Sequence, residues 1–199
     1  MSGNPYSPFD ARPYIPRLPM PTLDDMGVPF MLQEAEFDKC HQTPERIEKL
    51  KFWSRSPKGI LIFAGSSGRG KSYASVCCIK EYRINGGKYL AKFANVPRLC
   101  LDWKEHIASS WPEIRLLEKI ERQELLVIDD IGQREPSPAF QDFLYLIIDS
   151  RMNKNLGTIF TTNFSVGLLR ERFGDPIVSR ICSGEVLKFD GEDKRAALF

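Results

Sequence analysis

Apolar residues along this chain fall into two kinds of run. The first kind is short and nearly continuous: residues 59–64, 88–96, 125–128, 157–163 and 185–189. Each is too short for a helix and is bounded by turn or polar residues, so each predicts a β-strand. The run Leu125-Leu126-Val127-Ile128 has no polar interruption, as expected of a strand covered on both faces. The second kind repeats every three or four residues and predicts helices. One covers residues 44–55, with Ile47, Leu50 and Trp53 inward. Thr43 serves as its N-cap, Pro44 is its first residue, and Ser56-Pro57-Lys58-Gly59 stops it. Another covers residues 73–82 and ends at the Asn85-Gly86-Gly87 turn. A third opens at Pro97 with Leu99, Leu101 and Trp103; after Trp111-Pro112 a fourth carries Ile114, Leu117 and Ile120. Residues 138–153 place Phe140, Phe143, Leu144, Ile147 and Ile148 on one stripe, and two short helices follow at 166–173 and 176–182. Strands alternating with helices predict an α/β fold: a five-stranded parallel sheet sandwiched by helices.

Composition adds boundaries and a compartment. At 199 residues, with a net charge of +2, the chain has room for one domain and an extension, and its charge alone favours no polyanion. No apolar run approaches the ~18 residues of a membrane span, and the N-terminus lacks the plan of a signal peptide. The five cysteines, Cys40, Cys77, Cys78, Cys100 and Cys182, contain no C-x-x-C pair. A cytoplasmic protein without zinc is expected. Half of the 14 prolines fall within residues 1–30, interleaved with Tyr6, Phe9, Tyr14 and Ile15. Such a segment holds neither a helix nor a central strand; it reads equally as a flexible leader or as a docking arm. The chain therefore divides into a proline-rich arm and linker, 1–42, and a core, 43–199.

The chemistry begins where the first strand ends. Gly65-Ser66-Ser67-Gly68-Arg69-Gly70-Lys71-Ser72 has the complete G-x-x-x-x-G-K-[ST] spelling between a strand and a helix, which is a P-loop. Its glycines free the backbone, its amides and the helix dipole face phosphate, Lys71 reaches the terminal phosphates, and Ser72 ligates Mg²⁺. ATP and Mg²⁺ are the implied ligands. Asp129 and Asp130 close the strand 125–128, at the edge where open α/β sheets keep their chemistry. Asp129 would complete the Mg²⁺ shell and Asp130 would orient an attacking water. Asn163, ending the next strand, can hold that water without adding charge. Arg180 reads in two ways from its neighbours alone: a surface arginine, or an arginine finger lent to an adjoining subunit.

Together with Ser179-Arg180 and Gly191-Glu192-Asp193-Lys194-Arg195, these stretches resemble the DnaC/IstB group of AAA+ ATPases over roughly residues 45–195. The group comprises replicative-helicase loaders and transposase helper ATPases. The resemblance implies Walker A at residues 65–72, Walker B at 125–130, sensor 1 at Asn163 and an arginine finger at Arg180. It also implies a nucleotide-dependent homo-oligomer, a replicative helicase as partner, and single-stranded DNA running near the helices after Val96. Lys92, Arg98, Lys104 and Arg115 are the basic residues there. The chain departs from the wider AAA+ pattern in two ways. It ends about ten residues after the last strand, leaving no room for a helical lid. Arg195 is then the residue left to stand in for a sensor 2. Asp130 also stands where many AAA+ proteins have glutamate, which implies slow hydrolysis. The rival readings are a transposition helper, a small-molecule kinase, and an ATP-binding assembly protein that never hydrolyses.

Overall fold

The structure is a computed structural model describing residues 21–87, 90–109, 112–133, 135–191 and 193. Its five strands are β1 (Ile60–Ala64), β2 (Ala91–Asn95), β3 (Leu125–Asp129), β4 (Gly157–Thr162) and β5 (Glu185–Lys188). All pair in parallel, in the order β2-β3-β4-β1-β5. Every position of β3 is buried, as its unbroken apolar run required, and so is every position of β4, polar residues included. Side chains alternate between two layers. Ile62, Leu126, Ile128 and Phe160 face one core cluster; Leu61, Phe63, Leu125, Val127 and Ile159 face the other.

The first layer is covered by α3 (Val96–Ala108), α4 (Glu113–Glu121), α5 (Pro138–Asn153), α6 (Val166–Phe173) and α7 (Asp175–Ile181). The second is covered by α1 (Pro44–Arg55) and α2 (Lys71–Ile84). Caps explain several starts. Thr43 accepts from Arg46 N, Asn95 from Arg98 N and Ser165 from Leu168 N. Two of the residues in the helical apolar patterns face outward. Leu101 is 51% exposed, because Leu99 and Trp103 are four apart on the buried face and Leu101 lies between them on the other side. In α4 the buried residues are Leu116, Leu117 and Ile120, while Ile114 is 55% exposed. The strand expected at 88–96 is observed from Ala91; Lys88 and Tyr89 lie outside the described residues.

Residues 22–40 pack on the second layer despite having only two short 3₁₀ turns, Phe30–Leu32 and Phe37–Lys39. Met26, Val28, Ala35, Phe37 and Cys40 are buried there. A Thr22–Asp25 side-chain pair closes a tight turn, and Met26 O then accepts from Phe93 N at 2.7 Å. Gly27 has φ 79°, and a Cβ on it would stand 2.4 Å from Phe93 O. Only glycine can bring the backbone this close to the outer edge of β2 in this conformation. The proline-rich reading rests mainly on residues 1–20, which lie outside the described residues. The expected lack of a lid and the role raised for Arg195 fall on residues 194–199, which also lie outside them. Among the described residues no helix is long and apolar enough to cross a membrane.

At the opposite edge of the sheet from the P-loop, Arg151 is 1% exposed. It donates to Thr158 Oγ1, Ile120 O, Gln123 O and Gly157 O, tying α5 and the end of α4 to the start of β4. Burial pushes its guanidinium down to about 9, with the nearby Glu121 opposing, so it stays charged at neutral pH.

Candidate active site

Strand order decides which loops meet. Because β4 lies between β1 and β3, the P-loop after β1 and the carboxylates after β3 both reach the end of β4. The P-loop passes into α2 through Gly70, which caps the helix at φ 81° in the left-handed region. The helix takes Lys71 and Ser72 into its first turn.

Lys71 is 5% exposed. Its Nζ donates to Gly65 O at 2.8 Å, to Ser66 O at 2.7 Å and to Asn163 Oδ1 at 2.5 Å. It thereby joins the loop to the end of β4. Asp129 is 8% exposed and accepts from the hydroxyls of Thr161, at 2.7 Å, and Ser72. Asp130 would point away from Asp129 if β3 ran on straight. Its φ of 56° breaks that alternation, and its Oδ1 accepts from Asn163 Nδ2 at 3.3 Å while Oδ2 accepts from Gln133 Nε2 at 2.9 Å. Lys71, Ser72, Asp129, Asp130 and Asn163 thus form one connected group. Sequence reasoning missed Thr161 and Gln133; the only signal for Thr161 was polarity at the end of a buried strand.

Burial pushes the Asp129 carboxyl above the usual range, and the charge of Asp130 adds to this; the Thr161 and Ser72 hydroxyls and the Lys71 ammonium oppose it. The folded chain therefore protonates Asp129 more readily than the unfolded chain does. Stability falls as pH rises from the unfolded to the folded pKa, and the cost persists at neutral pH. Asp129→Asn is expected to raise the melting temperature of the ligand-free protein at pH 7, with the gain shrinking as pH falls towards the unfolded value of 3.8. Thermal melts across pH would show it.

The residues suit a nucleotide phosphate and a divalent cation. The cradle is glycine-lined, Arg69 Nη1 is buried with no hydrogen-bond partner, and a serine hydroxyl and a carboxylate face each other. Asp193 also approaches this loop: a Cβ on Gly68 would fall 1.7 Å from its Oδ1.

Arg180 is not part of this group within its own chain. Its Nε donates to Asp149 Oδ1 at 2.8 Å, its Nη2 donates to the Tyr145 hydroxyl, and its guanidinium lies 4.2 Å from the Tyr145 ring centroid. These partners are on α5. Of the basic residues after Val96 and beside it, Lys92 and Arg98 both pair with Asp102, at 3.4 and 2.8 Å. Lys104 borders a cavity of about 280 Å³ with Pro97, Leu101, Pro136 and Phe140, and Arg115 is exposed.

The model of the family described as IstB-like ATP binding protein matches residues 28–187. The replicative helicase loader DnaC of Escherichia coli strain K12 is 23% identical over 174 residues, 83% of this chain and 70% of DnaC. The crystal structure of the DnaC helicase loader matches at TM-score 0.71 and 23% identity, covering 81% of this chain and 100% of that one. A structure of the replication initiator DnaA bound to AMPPCP and single-stranded DNA matches at TM-score 0.70 and 16% identity, covering 80% of this chain and 51% of that one. At these identities the likeness establishes the fold alone, the five-stranded parallel sheet sandwiched by helices that the sequence predicts.

Proposed function

The chain belongs to the family of IstB-like ATP binding proteins, and from that premise we propose that it is a magnesium-dependent ATPase that acts as a homo-oligomer to load a replicative helicase onto single-stranded DNA. The observation that carries the ATPase reading is the convergence of Lys71, Ser72, Asp129, Asp130 and Asn163 at one edge of the sheet. The loop amides of residues 65–72 and the Lys71 ammonium hold the phosphates. Ser72 and Asp129 would hold Mg²⁺, which would neutralise phosphate charge. Asp130 orients the attacking water and takes its proton; Asn163, already bonded to both Asp130 and Lys71, holds that water against the terminal phosphate. With both Asp130 oxygens engaged by amides, turnover is slow. Arg180, bonded to α5 within its own chain, serves the site of a neighbouring subunit.

The loader assignment draws on the likeness to DnaC, and the DNA assignment on the DnaA structure holding single-stranded DNA. The matched family model favours a second reading, a transposition helper, which differs in its partner and not in its site chemistry.

The test is ATP turnover with and without single-stranded DNA, alongside light scattering for mass. ATP-driven assembly together with DNA-dependent turnover supports the proposal. A protein that stays monomeric and idle with ATP defeats it. Pull-down with a replicative helicase or with a transposase separates the two partners.

A further inference from the structure

The end of β4 is polar although fully buried. Thr161 is 0% exposed, beside its register partner Phe63 of β1 and facing Asp129 of β3. A buried hydroxyl needs partners for its hydrogen and for a lone pair. Thr161 finds both in the site. Its Oγ1 donates to Asp129 Oδ1 at 2.7 Å and accepts from the backbone N–H of Asp130 at 2.8 Å. One oxygen atom therefore connects the side chain of one acidic residue to the backbone of the next.

That backbone N–H needs such a partner. Asp130 lies in the left-handed region, where a straight strand would have continued, and the Thr161 hydroxyl takes the place of a ladder carbonyl. The adjoining bonds, Ile131 N to Thr161 O at 2.9 Å and Thr162 Oγ1 to Ile131 O at 2.8 Å, anchor the following residue but touch neither carboxylate. No other hydroxyl in the site joins the two acids in this way among the described residues.

We propose that Thr161 is a positioning residue of the nucleotide site. Its hydroxyl occupies one oxygen of Asp129, leaving the other to face the cation, and holds the turn that carries Asp130 to Asn163. The inference rests on the ATPase reading and deepens it. Threonine and serine can do this; a valine of the same shape cannot.

The experiment compares Thr161→Val with Thr161→Ser. ATP affinity is measured by calorimetric titration with and without Mg²⁺, and turnover in parallel. Thr161→Val is expected to lose most of the affinity gained on adding Mg²⁺ and to turn over about 10- to 100-fold more slowly, with its Mg²⁺-free affinity unchanged. Thr161→Ser should stay close to the parent. The proposal is overturned if the valine variant keeps the parent's Mg²⁺ dependence and turnover, or if the serine variant falls as far as the valine one. If circular dichroism shows the valine variant unfolded, Thr161→Ala takes its place, and equal Mg²⁺ dependence in the alanine and serine variants overturns the proposal. A parent that binds ATP with Mg²⁺-linked affinity but never hydrolyses it defeats the ATPase reading alone; the affinity comparison at Thr161 still decides this one.

Discussion

Arg180→Ala is expected to bind ATP like the parent, to assemble with it, and to hydrolyse it about a thousandfold more slowly. An arginine that meets the phosphoryl group only as charge builds on it contributes to the transition state and little to the ground state. Within its own chain Arg180 has work of another kind. It pairs with Asp149, bonds the Tyr145 hydroxyl and stacks on that ring, which fixes the position of α7 against α5. The pair is partly exposed, with side chains 30% and 36% accessible, so losing it costs the fold little. A fall in turnover without a fall in melting temperature would therefore assign the loss to a neighbour's site. An Arg180→Ala protein that stays fully active would remove the finger from the proposed mechanism.

Lys71→Ala is expected to weaken ATP binding by on the order of a hundredfold, since a hydrogen bond to a charged group is worth about 1.5–3 kcal/mol and the ammonium is the nearly buried cation of this site. The side chain is nearly buried and already directed inward by Gly65 O, Ser66 O and Asn163 Oδ1. Little ordering remains to be done when phosphate arrives. Calorimetric titration reads the affinity directly; an affinity unchanged from the parent would mean that ATP binds elsewhere. The two variants also test each other. Lys71→Ala keeps a usable Arg180, and Arg180→Ala keeps a usable loop. Mixed together they should regain part of the parent's turnover, which neither has alone, if each site is completed by the next subunit.

The local half of this site was legible because the chemistry is local. Phosphate binding by backbone amides demands a particular spelling between residues 65 and 72, and a strand buried on both faces demands an unbroken apolar run at 125–128. The long-range half was not. Nothing in the order of residues announces that β4 lies between β1 and β3, and that placement alone gives Thr161 two acidic neighbours and lets Asn163 reach both Lys71 and Asp130. Gln133 carries no signal of its own, because its role depends on the positive φ of Asp130, which no apolar pattern encodes. Leu101 shows that an apolar residue in a helix need not face the core, since Leu99 and Trp103, four apart, already define the buried side. Arg151 carried no sequence signal, since a fully buried arginine is rare and its four acceptors come from separate elements.

The seam of Met26 and Gly27 along β2 bears on how any measurement of assembly is read. β2 is the last strand on its side of the sheet, and its outward N–H at Phe93 is satisfied by Met26 O. A shortened chain beginning at residue 43, where composition suggests the core starts, would carry a raw strand edge able to recruit the same edge of a second copy. Such a chain would gain mass in solution with no nucleotide present, through sheet extension and not through shared sites. Scattering from it would imitate the expected oligomer while Arg180 remained far from any phosphate. Keeping residues 21–42 in place is thus a condition for telling a nucleotide-driven oligomer from sticky strands.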